Sequence, residues 1–179
     1  YIERKLFTLN SGHAICAYLG ALKGRRTIVE SIADPAIGQL VYKAMQESGE
    51  GLIQKFGFDP AAHHAYIDRI FARFQNPFLE DETQRVAREP IRKLSPTDRL
   101  IKPLLTAYGY GLKVDHLLVG TAAALHFDCP EDEQSVEMIG KIQAEGVEQA
   151  LEAYTGLTPD HPLFGRILDV YRALAIAKQ

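Results

Sequence analysis

The chain has 179 residues, enough for one domain with a sizeable core. Hydrophobic residues make up 46% and charged residues 24%, a globular balance that excludes disorder for the bulk of the chain. The formal net charge of -3 at pH 7 argues against a general nucleic-acid or membrane-surface binder, and no apolar run reaches the length of a membrane span.

The first element runs from Lys5 to Leu22, KLFTLNSGHAICAYLGAL. Leu6, Phe7, Leu9, Ile15, Cys16, Leu19 and Leu22 spread over all its sides, which predicts a buried helix. Buried polar residues need partners or a purpose. At about 100° per residue, Lys5, Asn10 and His13 fall at about 0°, 140° and 80°, so all three can face one side over roughly two turns. Spacing alone also allows a lysine that snorkels to solvent, an asparagine paired with backbone and a satisfied core histidine.

Further along, Asp34-Pro35 and Asp59-Pro60 each place a capping side chain before a proline, which predicts helix starts. Apolar residues at helical spacing follow both, Ile37 to Phe56 and Ile67 to Phe74. Gln75 to Pro96 is irregular and reads as a broken helix plus loops. Ser95-Pro96 and Thr158-Pro159 repeat the start signal before Leu100–Tyr108 and Ile167–Leu174, and Pro130 followed by Glu131, Asp132 and Glu133 puts negative charge at another start. Gly57, Gly111 and Gly156 are predicted stops. No sustained alternation marks a sheet. The expectation is a single all-α domain over residues 1–179, with about eight to ten helices.

The remaining histidines and cysteines carry little. His63 and His64 are adjacent, cannot chelate as an i, i+4 pair would, and read as surface residues. His126-x2-Cys129 lacks a second ligand pair, so no metal is expected. Cys16 and Cys129 read as reduced thiols of a cytoplasmic protein.

Between Arg85 and Lys102 stand Arg85, Arg88, Arg92, Lys93, Arg99 and Lys102, offset only by Glu89 and Asp98 in a chain that is acidic overall. Guanidinium groups bind phosphate bidentately, and the helix start predicted after Ser95 offers free amides to an anion. A solvated charged face is the plain alternative. A Gly-x-Gly-x-x-Gly dinucleotide turn is absent: Gly49, Gly51, Gly109 and Gly111 lack that spacing.

The pattern Lys5-x4-Asn10-x2-His13, within KLFTLNSGHA, resembles the motif of the polyol-specific long-chain dehydrogenase/reductase family. RFQNPFLEDE, REPIRKLSPTDRLIKPLL and AAALHF extend the likeness over nearly the whole chain, toward the mannitol-1-phosphate 5-dehydrogenase branch. The resemblance implies a C-terminal domain of the 6-phosphogluconate-dehydrogenase-like type, with an N-terminal Rossmann partner domain outside this chain. It implies NAD as hydride carrier, held mainly by that partner, with no metal. Lys5 would be the acid/base, and Asn10 and His13 would hold and polarise the reacting oxygen. A sugar phosphate is the implied substrate, with Arg92 and Lys93 the first choices to contact its phosphate, Arg85 and Arg88 next, then Lys102. A lysine can act as a base near neutrality only if burial or nearby positive charge lowers its proton affinity. The chain opens on Tyr1 and not on Met, so a longer parent protein is expected, and the chain alone is expected to have no turnover. Two alternatives stand beside this reading: a hexuronate reductase or mannitol 2-dehydrogenase of the same family, and a non-catalytic helical binding module.

Overall fold

The computed structural model describes residues 1–178. A short helix α1 (Ile2–Arg4), a π-helical segment (Lys5–Asn10) and α2 (Ser11–Leu22) run on without a break, because Arg4, Asn10 and Ser11 all keep right-handed helical dihedrals. There follow α3 (Ile28–Ala33), α4 (Pro35–Phe56), α5 (Pro60–Phe74), α6 (Thr83–Ala87), α7 (Pro90–Lys93) and α8 (Ile101–Gly109). The chain continues through α9 (Asp115–Ala124), α10 (Glu133–Glu145), α11 (Val147–Thr155) and α12 (Pro162–Lys178). The only extended pairing among the described residues is an isolated antiparallel bridge between Thr27 and Glu82. The fold is all-α. The helical segments outnumber the eight to ten expected because α1, α6 and α7 have only three, five and four residues, too short for a periodic signal.

Both Asp-Pro starts form as predicted. The Asp34 carboxylate accepts from the Ala36 and Ile37 amides at 3.0 and 3.4 Å, and Asp59 accepts from Ala62 at 2.9 Å. Gly57 closes α4 at φ +68° and Gly156 closes α11 at φ +77°, the left-handed geometry that favours glycine at a helix end. The Ser95-Pro96 and Thr158-Pro159 starts do not form. The Asp98 carboxylate turns onto the amide and Nε of Arg99, at 2.6 and 2.8 Å, and α8 begins only at Ile101. Thr158 Oγ1 bonds Asp160, and His161 Nδ1 takes the capping role by accepting from the Leu163 amide at 3.1 Å.

The core is organised around α2, nine of whose twelve residues are buried. It packs against α3, α4, α6 and α9. Tyr18 is wholly enclosed and its hydroxyl donates to the Ala87 carbonyl at 2.9 Å, which fastens α2 to the end of α6. The α6–α7 corner is tied down separately. Glu89 there holds φ +60°, an uncommon geometry for a residue with a side chain, and its amide donates to the Asp132 carboxylate at 2.8 Å. Asp132 also caps α10 through the Gln134 amide, and Gln134 Oε1 accepts from the Arg92 amide.

His63 is not a surface residue: only 1% of it is exposed, and neither ring nitrogen has a hydrogen-bond partner among the described residues. Adjacent residues on a helix point about 100° apart. His64 therefore takes the outer face beside Glu50, at 2.9 Å, while His63 turns inward between Phe58 and Tyr66. Burial, reinforced by the Arg4 charge, pushes the His63 pKa down from 6.5 to about 4. The unfolded chain takes up this proton near pH 6.5 and the folded chain only near pH 4, so stability is full above pH 6.5 and is lost as pH falls through that window. The loss is up to roughly 3 kcal/mol. Urea denaturation of a His63→Leu variant is expected to show a flatter pH profile between those limits; an unchanged slope would assign the acid sensitivity to other groups.

Candidate active site

On a regular α-helix Lys5 and Asn10 would sit about 140° apart. The π segment changes that. Its hydrogen bonds close from residue i to i+5, so the residue five places on lies nearly above the first. Lys5 and Asn10 are its two ends. His13 follows on the first turn of α2. Such a segment disturbs the regular carbonyl ladder, and the Ser48 hydroxyl of α4 donates to the Phe7 carbonyl at 2.8 Å in the buried interior. Ser48→Ala is expected to cost about 1–3 kcal/mol, the penalty of a buried acceptor that loses its partner. Denaturant titration measures this, and a loss below that range would mean the carbonyl is satisfied without Ser48.

Lys5, Asn10 and His13 line one cavity of about 240 Å³ together with Arg73, Phe74 and Asp81. The cavity's far wall comes from the end of α5 and the loop after it, the RFQNPFLEDE stretch. The His13 ring stacks on Phe74, with centroids 5.3 Å apart and planes 9° from parallel, and its Nε2 lies 3.4 Å from the Asp81 carboxylate. The other oxygen of that carboxylate pairs with Arg85 at 2.5 Å. Burial holds the His13 pKa below its ordinary value; Asp81 opposes this, while Lys93 and Arg85 add to it. His13 is therefore neutral at pH 7.

Lys5 itself is exposed, and Asn10 and His13 are half-buried. The predicted apolar shelter for Lys5 is not provided by this chain. The helix is apolar all round only from Ser11 onward, where neighbours cover it on every side.

The basic stretch does not act as one patch. Arg85, on α6, meets Asp81 and through it the cavity. Lys93 is buried, 5% exposed, and its ammonium donates to the Val86 carbonyl. Burial, then the Arg99 and Arg92 charges, lower its pKa to about 8. Its charge reaches His13, but it does not line the cavity. Arg88 points back to the Arg85 carbonyl at 3.3 Å. Arg92 pairs with Glu89 at 2.9 Å, and Lys102 pairs with Glu3 at 2.5 Å beside the start of the chain. Arg99 pairs with Asp98. Spacing along the sequence brought these cations together; the turns at Glu89 and Ser95 separate them. Arg73 and Asp81 were not singled out from the sequence, because their place depends on how the loop after α5 returns to the helix. Their only signal was membership of a segment that carried the family likeness.

A larger cavity, about 740 Å³, opens elsewhere between Arg25, Arg26, Glu30, Glu82 and Asp128. Its charges are mixed and Lys5, Asn10 and His13 do not line it, so volume alone does not make it the stronger candidate. Among the described residues no group of three or more His, Cys, Asp or Glu side chains is gathered to hold a metal ion, and no helix is long and apolar enough to cross a membrane. His126 Nε2 meets the Tyr171 carbonyl while Cys129 Sγ faces Glu131. Burial pushes the Cys16 thiol up to about 12, which makes it inert.

Among solved structures, the chain is similar to Pseudomonas fluorescens mannitol 2-dehydrogenase in ternary complex with NAD and D-mannitol. The TM-score is 0.75 at 20% identity, over 99% of this chain and 39% of that one. It is also similar to a D-sorbitol dehydrogenase in substrate-free form, with a TM-score of 0.72 at 18% identity, over 99% of this chain and 38% of that one. The chain thus spans about two fifths of the length of these structures. At such identities they establish the helical fold alone. The family model described as "Mannitol dehydrogenase C-terminal domain" matches residues 1–169, nearly the whole sequence, and the chain belongs to that family.

Proposed function

We propose that this chain is the substrate-binding, proton-handling part of an NAD-dependent polyol dehydrogenase, acting on mannitol 1-phosphate and fructose 6-phosphate. The observation that carries the reading is the convergence of Lys5, Asn10 and His13 on one small cavity, with the π segment closing between the first two. In the oxidation direction, neutral Lys5 accepts the hydroxyl proton as the adjacent carbon gives up hydride; in reduction its ammonium returns that proton. Asn10 steadies the oxygen as charge develops on it.

The described residues hold no strand leading into a glycine-rich turn, the element by which a Rossmann unit cradles a dinucleotide. On this reading NAD would supply the hydride acceptor, held mainly outside this chain in a longer parent protein. The neighbour solved with NAD and D-mannitol supports that choice. Tyr1 and Ile2, just before Lys5, and Phe78, in the cavity loop, are 97%, 82% and 90% exposed. A covering domain there would bury apolar surface and desolvate Lys5 in one step.

A phosphate in the cavity would meet Arg73, the arginine that lines it, with Arg85 behind Asp81 and the buried Lys93 charge nearby. Arg88, Arg92 and Lys102 do not line the cavity and are engaged by other groups. One observation favours a second reading. The Asp81 carboxylate inside the cavity suits a neutral hydroxyl better than a phosphate, as a mannitol 2-dehydrogenase would need. The test is kinetic: the parent protein with NADH and fructose 6-phosphate, fructose or fructuronate. The expected order puts fructose 6-phosphate first in kcat/KM. Equal or faster reduction of fructose overturns the phosphate assignment, preference for fructuronate makes the protein a hexuronate reductase, and no turnover of any of the three overturns the dehydrogenase reading.

A further inference from the structure

We infer that Asp81 is a positioning residue for His13: its carboxylate, held in turn by Arg85, fixes the imidazole proton on Nε2 and leaves Nδ1 as the accepting nitrogen. The value of this arrangement for turnover rests on the proposed function; the arrangement itself does not.

Three contacts define the ring. Phe74 stacks on its face, the Asp81 carboxylate lies 3.4 Å from Nε2, and the second Asp81 oxygen is anchored by Arg85 at 2.5 Å. An ionised carboxylate can only accept, so the nitrogen that faces it must carry the hydrogen. In a neutral imidazole there is one such hydrogen, and the group facing one nitrogen decides the state of the other. Arg85 keeps the Asp81 carboxylate aimed. The separation of 3.4 Å is long for a hydrogen bond, as contacts in an unloaded site often are before they tighten.

The charged groups around the ring are Lys5 and Arg73 in the cavity, Asp81 on the loop, Arg85 on α6 and Lys93 on α7. Four of the five are cations. Burial favours the neutral ring, with Lys93 and Arg85 adding to it against Asp81, and in a neutral ring tautomer choice has consequences. A neutral His13 with its proton committed to Asp81 accepts a hydrogen bond from a substrate hydroxyl through Nδ1. Donation to the developing alkoxide then falls to Asn10 and to Lys5. This differs from the role implied by the sequence resemblance, in which Asn10 and His13 both donate.

The first experiment uses the chain with 15N-labelled histidine and long-range 1H–15N correlation spectra. The expected result is an Nε2–H tautomer for His13 in the unsubstituted chain and a mixture of tautomers in Asp81→Ala. An Nδ1–H tautomer in the unsubstituted chain overturns the inference even if the variant does not fold, and so does an Asp81→Ala spectrum with the same tautomer population. The second uses the parent protein. Asp81→Ala is expected to lower kcat roughly tenfold or more and to shift its pH profile, with the KM for NADH unchanged and partial rescue in Asp81→Glu. Unaltered kcat and pH profile would remove Asp81 from the positioning role. Absence of any dehydrogenase activity would fail the functional reading alone, since the tautomer is read independently.

Discussion

Lys5→Ala in the parent protein is expected to cut kcat by about 10²–10⁴-fold, the range associated with loss of a general acid/base. The same change should leave stability within about 0.5 kcal/mol, as for other surface substitutions. The two halves of this expectation rest on different observations. Lys5 lines the cavity that Asn10 and His13 also line, so its amine is available to a substrate oxygen. It is also exposed, at the mouth of that cavity and not in the core, so its removal creates no buried void. Steady-state kinetics and thermal denaturation of the same preparation separate the two. A variant that keeps more than a tenth of the parental kcat would remove Lys5 from the chemistry. One that loses activity together with several kcal/mol of stability would make Lys5 a structural residue.

A structural effect that should reach the candidate site is expected at Gly20. A Cβ there would lie 2.0 Å from Ser31 Oγ and 2.8 Å from Ser31 Cβ. The hydroxyl could swing away only by giving up its 2.8 Å bond to the Thr27 carbonyl, and the Cβ cannot move unless α3 moves with it. Alanine gains about 1 kcal/mol of helix propensity over glycine. Even so, overpacking should leave Gly20→Ala about 1–3 kcal/mol less stable. Because α3 opens with Ile28, which also lines the cavity, the displacement should reach the candidate site. Urea denaturation is the measurement. The double variant Gly20→Ala, Ser31→Gly removes both clashing atoms and is expected to recover most of the loss. A single variant as stable as the parent chain would mean that α2 and α3 are not held apart by backbone approach.

Much of this architecture was legible before any coordinates. The helical class follows from apolar spacing that local chemistry does not disturb, and the Asp34 and Asp59 starts form because each carboxylate finds free amides next to it. The same dipeptide logic fails at Ser95 and Thr158, where Asp98 and Asp160 compete for the local hydrogen bonds. The grouping of Lys5, Asn10 and His13 was readable as a motif. The π geometry that supports it was not, since six residues carry no periodicity that separates i+5 from i+4 closure. Lys93 and His63 show the opposite difficulty: Lys93, expected at a substrate phosphate, and His63, expected at the surface, are both buried. By sequence Arg92 ranks above Arg85 for the substrate, yet each pairs with a carboxylate close to it in sequence, and only Asp81, the partner of Arg85, lines the cavity.

The widened turn between Lys5 and Asn10 also sets a length constraint. Relative to ordinary winding it accommodates one surplus residue, so excising a single position there would let the stretch relax into an unbroken α-helix. The residues flanking the cut would keep nearly their present phase, because four places on a regular α-helix turn through about 400°, close to the full turn that five places span here. A single deletion within these six positions should therefore be better tolerated than a single insertion, which the turn has no further slack to absorb.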